Sequence, residues 1–224
     1  MTFSLVARCA QSGMFGVAIS SSSPAVAARC AYAQAGVGAV ASQNVTDPRL
    51  GPWALSLMQA GASPTEVRAI LRRSAQHMQY RQVLMVNGQG DTCIHSGPNA
   101  LGTWAEAQAE NVAAGGNLLA DAGVPQAMVA GFQGATGHLG DRLLAALHAG
   151  LAAGGEAGPV HSAGLLLVDQ QSWPLADLRC DWTEACPIAA LQAAWQVYKP
   201  QINDYVARAL NPAAAPSYGV PGDD

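Results

Sequence analysis

The chain has 224 residues, half of them hydrophobic and only 12% charged, with a net charge of −4 and no basic run. That length suffices for one large domain with a real core, and the acidic balance argues against a cationic nucleic-acid surface. No charged stem followed by an apolar run marks a signal peptide, and no apolar stretch approaches about 20 residues, so a soluble cytoplasmic protein is expected, with no membrane partner.

Residues 3–9 and 14–20 are short apolar runs that suit β-strands. Gln11-Ser12-Gly13 separates them, so they read as an antiparallel hairpin. The serines Ser20 to Ser23 end the second strand and Pro24 closes it. Residues 37–43 form a third strand, whose glycine and alanines let another layer come close. Pro48 to Gln59 is a helix stopped by Gly61. A better-marked helix follows: Ser63 is its N-cap, Pro64 fills its first turn, Glu66 completes a capping box, and Val67, Ile70 and Leu71 share one face.

Val83 to Val86 is a buried strand, Asn87-Gly88 a hairpin turn, and Asp91 to His95 the return strand. The segment from Gly97 to Gly116 holds one or two short strands. Residues 124–133 and 138–152 are helical, the second with Leu139, Leu143 and Leu147 at four-residue spacing. Residues 154–159 are a loop. Leu165 to Val168 and Leu175 to Cys180 are strands. Ile188, Leu191, Trp195 and Tyr198 form a helical stripe, and Pro200 kinks or breaks that helix before Ile202 to Leu210 resumes it. Clustered strands alternating with clustered helices indicate an α+β class rather than an alternating parallel sheet. Residues 1–210 read as a single domain. Residues 211–224, with three prolines, read as an extended arm or a disordered end.

Thr2 carries the first chemical signal. Removal of Met1 would place its hydroxyl and a free α-amine on one residue. An α-amine titrates near pH 8, which lets it serve as the base for its own hydroxyl. Such a nucleophile needs hydrogen-bond donors for the developing oxyanion. Gln43 and Asn44 at the end of the third strand, and Asn117 after Gly115-Gly116, are candidates; each also suits a plain turn or cap role. Ser21, within the serine run, could supply a hydroxyl beside Thr2, or merely end a strand. Arg81 opens a buried strand and could hold a substrate carboxylate or a structural ion pair. Cys9, Cys30, Cys93, Cys180 and Cys186 show no zinc spacing and are expected to be reduced. The five histidines show none either, and the glycine-rich pieces match no nucleotide-binding motif, so no metal and no organic cofactor is expected. Few charges and many apolar residues suggest a homo-oligomer.

Several segments together resemble a known family: MTFSLVAR at 1–8, GVAIS at 16–20, AGVGAVASQNVTDPRLGP at 35–52, YRQVLMV at 80–86, GGNLLA at 115–120, RLLAALHAGLAAGGEAG at 142–158, HSAGLLLVD at 161–169 and DLRCD at 177–181. The chain is similar to the family of unknown function DUF1028. The resemblance implies a four-layer αββα sandwich of N-terminal-nucleophile (Ntn) hydrolase type. It also implies hydrolysis of a non-peptide amide or related C–N bond in a small-molecule substrate, with Thr2 at the nucleophile position. The chain departs from the pattern in two respects: many relatives carry a lysine just after the second strand, where the serine run stands here, and an Asp-Arg-Arg-Gly-like charged stretch where Glu156-Ala157-Gly158-Pro159 stands here, so a site near that loop would be less charged. The only lysine is Lys199. The threonine would then rely on its α-amine, helped by Ser21 or Arg29. The alternative is a non-catalytic ligand-binding or assembly protein on an Ntn-like scaffold.

Overall fold

The computed structural model describes residues 2–221. In chain order the first half runs β1 (Thr2–Arg8), β2 (Phe15–Ser21), α1 (Ala27–Cys30), β3 (Ala31–Gln34), β4 (Gly38–Asn44), α2 (Leu50–Gln59), α3 (Pro64–Ser74), β5 (Arg81–Asn87) and β6 (Thr92–Ser96). The second half runs β7 (Ala105–Ala109), β8 (Val112–Asn117), α4 (Val124–Gly134), α5 (Leu139–Ala152), β9 (Ser162–Val168), β10 (Ala176–Cys180), α6 (Pro187–Tyr198) and α7 (Ile202–Leu210). A 3-10 turn at Lys199–Gln201, around Pro200, separates α6 from α7. The fold is mixed α+β with two antiparallel sheets. One has six strands in the order β10-β9-β2-β1-β8-β7, the other four in the order β3-β4-β5-β6.

Strand alternation explains how each sheet buries both faces. From β1, Phe3 and Leu5 turn toward Met128 and Phe132 of α4, Leu143 and Leu147 of α5, and Leu191 and Trp195 of α6. Val6 turns the other way and joins a core with Ala39 and Ala41 of β4, Leu84 and Val86 of β5, and Ala113 of β8. The alanines in that shared core keep it thin. On the far face of the four-stranded sheet, Val40, Val83 and Met85 pack against Leu50, Ala54 and Met58 of α2 and Val67 and Leu71 of α3. Each fully buried side chain of this size contributes roughly 1.5–3 kcal/mol of transfer free energy.

The helix starts follow from their caps. The Ser63 hydroxyl accepts from the Glu66 N–H, and Glu66 accepts from the Ser63 N–H at 2.8 Å. His138 caps α5 with Nδ1 accepting from the Gly140 N–H at 3.1 Å, and Asp141 accepts from the His138 N–H at 3.1 Å. Trp195 lies against Gly140, where an added Cβ would come within 2.4 Å of the indole. Its Nε1 donates to Asp141 at 2.8 Å, which fixes α6 on α5.

Two elements differ from the sequence expectation. β3 and the single turn of α1 lie between the second and third expected strands, where no element was expected. The stretch 97–116, expected to hold one or two short strands, holds β7 and all but the last residue of β8, which is buried throughout. Of the tail, Pro212–Ala214 makes a 3-10 turn, and Arg208 donates to the carbonyls of Pro216 and Ser217 at 3.0–3.2 Å. The last residues of the expected tail, 222–224, lie outside the described residues.

Candidate functional site

The antiparallel registers bring strand ends together. Thr2, the first residue of β1, stands opposite Asn117, the last of β8. On the other side, Phe3 pairs with Ser20, so Thr2 falls beside Ser21, the last residue of β2. Neighbouring residues in register project to one face of a sheet. Ser21, Thr2 and Asn117 therefore form a row across β2, β1 and β8. Ser4, two residues along β1, bonds to the four-stranded sheet, so the row faces that sheet as well.

All three residues are buried, Thr2 at 6% exposure and Ser21 and Asn117 below that. The Thr2 hydroxyl donates to Ser21 Oγ at 3.3 Å. Ser21 Oγ also accepts from the Ser23 N–H at 3.0 Å, which fixes its rotamer. Leu118, just past Asn117, holds φ at +51°. Left-handed backbone at a branched, bulky residue is strained, and such strain clusters at functional sites. Here it turns the chain sharply out of β8 immediately after Asn117.

Beneath the row lies a chain of carboxamides. Ser4 donates to Gln43 Oε1 at 2.6 Å. Gln43 Nε2 donates to Gln82 Oε1 at 2.7 Å and to the Gly115 carbonyl at 3.1 Å. Gln82 Nε2 reaches Ser96 Oγ at 3.0 Å and the carbonyls of Ala105 and Gly116 at 3.3 Å. Asn117 Nδ2 points to Gln82 Oε1 at 3.5 Å, while Asn117 Oδ1 is buried without a hydrogen-bond partner.

This network revises the roles expected of three residues. Gln43 has both ends of its carboxamide engaged, so it braces the site rather than offering a donor to an oxyanion. Asn44 holds φ at +77° and likewise uses both ends structurally: Nδ2 donates to the Tyr80 carbonyl at 2.6 Å and Oδ1 accepts from the Leu101 N–H at 3.2 Å. Asn117 turns its nitrogen to Gln82 and leaves its oxygen unpartnered, an acceptor where a donor was expected. Arg81 neighbours Gln82 in β5, and alternation sends its side chain to the opposite face. Its guanidinium donates to the Val45 carbonyl. Arg29 donates to the carbonyls of Pro24 and Ala25. Lys199 is paired with Asp141 at 2.6 Å, at the start of α5. Neither contact brings the cation to Thr2.

Glu156 is the residue that sequence reasoning missed. It sits in the 154–159 loop yet is only 4% exposed. Both carboxylate oxygens accept from the Ser22 N–H, at 3.0 and 3.2 Å. Burial pushes its carboxyl up to about 7, against the opposing pull of the Ser22 contacts. The available signal was a lone acid within a glycine- and alanine-rich loop.

Elsewhere, a cleft of about 420 Å³ is lined by Ser63, Glu66, Asn87 and Asp91. Among these residues Glu66 is engaged with Ser63 and Asn87 with Asp91. Among the described residues, no group of three or more His, Cys, Asp or Glu is placed to hold a metal ion. Among the same residues, no helix is long and apolar enough to cross a membrane.

A model of the family of unknown function DUF1028 matches residues 2–191. Protein SPO2555 from Silicibacter pomeroyi, a DUF1028 crystal structure, superposes with a TM-score of 0.82 at 26% identity, over 88% of this chain and 89% of that one. Anbu, an ancestral β-subunit from Yersinia bercovieri, is a much weaker likeness: it aligns over 91% of this chain and 97% of its own at 11% identity and a TM-score of 0.39. No curated protein matches significantly.

Proposed function

The chain belongs to the family of unknown function DUF1028, and from that premise we propose that it is an N-terminal-nucleophile amidohydrolase, acting on a non-peptide amide or related C–N bond of a small metabolite. The stacking order supports reading the architecture as a four-layer αββα sandwich: α4–α6, the six-stranded sheet, the four-stranded sheet, then α2 and α3. The observation that carries the proposal is the placement of Thr2. It opens a central strand, with a hydroxyl partner at 3.3 Å on one side and Asn117 in register on the other.

In this reading Met1 is removed and the Thr2 α-amine becomes the base. Oγ attacks the carbonyl carbon, and its proton passes to the amine, directly or through water. The carbonyl π pair moves onto oxygen. Collapse of the tetrahedral species breaks the C–N bond, and the leaving nitrogen takes the proton from the ammonium. Water then hydrolyses the threonyl ester and regenerates the hydroxyl. Ser21 orients the Thr2 hydroxyl. Asn117 Oδ1, a buried acceptor without a partner, suits a substrate that brings an N–H, as a primary amide or ureido group does. Gln43 and Gln82 hold this row in place.

The test is intact mass of natively expressed protein, followed by a screen of small amides and ureido compounds. Loss of Met1, turnover of one compound, and abolition of that turnover by Thr2→Ala are the expected results. Unchanged turnover in Thr2→Ala sinks the proposal and leaves a ligand-binding protein on the same scaffold.

A further inference from the structure

Glu156 takes no part in the bond-making and bond-breaking at Thr2, yet its surroundings place it at the same strand end. Its backbone is tied to the segment that leaves β8. Leu119 and Glu156 form an antiparallel bridge, Ala120 N–H donates to the Gly155 carbonyl at 3.1 Å, and Ala157 N–H donates to the Leu118 carbonyl at 3.0 Å. Its carboxylate reaches the residue that leaves β2, accepting from the Ser22 N–H. β1 lies between β2 and β8, so the residue spans the end of the strand that Thr2 opens.

Peptide geometry sharpens the position. The Ser21 carbonyl points toward β9, where it accepts from the His161 N–H at 2.8 Å. The Ser21–Ser22 peptide is trans, since the described chain has no cis bond. In a trans peptide the N–H points opposite to the carbonyl. The Ser22 N–H therefore points away from β9, to the β1 side. The carboxylate that accepts from it lies along the line of β1, ahead of the Thr2 backbone nitrogen.

We propose that Glu156 is the positioning residue for the Thr2 α-amine, its carboxylate receiving and orienting the α-ammonium. This rests on the amidohydrolase reading and deepens it. No lysine serves the site, because Lys199, the chain's one lysine, is held by Asp141. A cation beside the amine would lower the amine's pKa, whereas a carboxylate raises it. The raised pKa of Glu156 in its buried setting fits a group that ionises fully only when a cation arrives, so the two titrate as a pair. His161 is the other titratable side chain whose charge reaches Glu156. Its Nδ1 lies 2.9 Å from the Thr183 carbonyl and 3.8 Å from Glu184.

The experiment needs no substrate. Protein labelled with 15N-threonine shows the Thr2 nitrogen as an amine, well separated from the amides, only when Met1 is gone. Its shift is followed against pH in the wild type, Glu156→Gln and Glu156→Asp. The expected wild-type midpoint lies above the ordinary α-amine value of about 8, and Glu156→Gln lowers it by about one pH unit. Glu156→Asp, with a shorter reach, falls between them and serves alone if Glu156→Gln does not fold. Coincident midpoints, in a protein whose amine signal is present and whose turnover Thr2→Ala abolishes, overturn the role of Glu156 alone. Absence of any amine signal overturns it together with the amidohydrolase reading.

Discussion

Ser4 of β1 donates its hydroxyl to Gln43 Oε1 of β4 at 2.6 Å, a fully buried hydrogen bond that joins the two sheets. The surrounding inter-sheet core is apolar, built of alanine, valine, leucine, isoleucine and phenylalanine, so an unmet polar group there has no water to turn to. Ser4→Ala strands the Gln43 oxygen. It should destabilise the protein by about 1–3 kcal/mol, measurable as a lower midpoint of urea unfolding with an unchanged slope.

Gln82 sits at the centre of the same network. Its carboxamide accepts from Gln43 and Asn117 and donates to Ser96, Ala105 and Gly116. Gln82→Ala leaves several of these groups unsatisfied and opens a cavity between the sheets. The expected loss is larger than for Ser4→Ala, roughly 2–4 kcal/mol. Calorimetric melting of the two variants side by side checks the ranking.

Ser21 separates function from stability. Its hydroxyl accepts from Thr2 and from the Ser23 N–H. Ser21→Ala should cost about 1 kcal/mol of stability while slowing turnover of the identified amide by about 10-fold to 100-fold. A variant that melts lower yet turns over at the wild-type rate would remove Ser21 from the site.

Asp141 predicts a pH dependence. Burial pushes its carboxyl up, but Lys199, Trp195 Nε1 and the His138 N–H together hold it below its ordinary value. A depressed folded pKa gives stability that is present above the unfolded value, near pH 4, and is lost as pH falls through the folded value. Asp141→Asn should therefore lower stability at pH 7 by about 1 kcal/mol, the scale of a lost cap beside a half-exposed ion pair. The difference from the wild type should shrink in melts recorded below about pH 4 and vanish only once the pH has passed below the folded value. His138 adds a second step in the wild type. Burial lowers its pKa, and its capping Nδ1 ceases to accept once protonated, so that stability is present above about pH 6.5 and fades as pH falls through the lower folded value.

Elements whose signals are local could be read from the chain. The Ser63–Glu66 capping box, the Asn87-Gly88 turn and the leucine spacing of α5 each lie where the structure has them. β1 and β2 differ by one residue from the expected bounds. β3 was not legible because its four residues pair only at the edge of the smaller sheet. The candidate site was legible in outline, since Thr2, Ser21 and Asn117 all end strands. What each carboxamide does was not. Gln43, Asn44 and Asn117 have the same donor and acceptor capacity, and only the crossing of the two sheets decides which ends are engaged. Glu156 was hidden for the same reason: a loop acid becomes buried only when the exits of β2 and β8 close around it.

Thr2 stands on a strand hydrogen-bonded along both edges, six residues to β2 and six to β8. Moving it would require three strands to slip together, and a slip of one residue would turn every buried side chain of β1 to the wrong face. The Thr2 hydroxyl is thus a fixed point in the molecule. On the amidohydrolase reading, substrate preference is expected to drift through the segments around it, residues 22–26, 97–104 and 154–161, which leave strands or approach them. Exchange of these segments between family members should therefore transfer selectivity while leaving the chemistry unchanged.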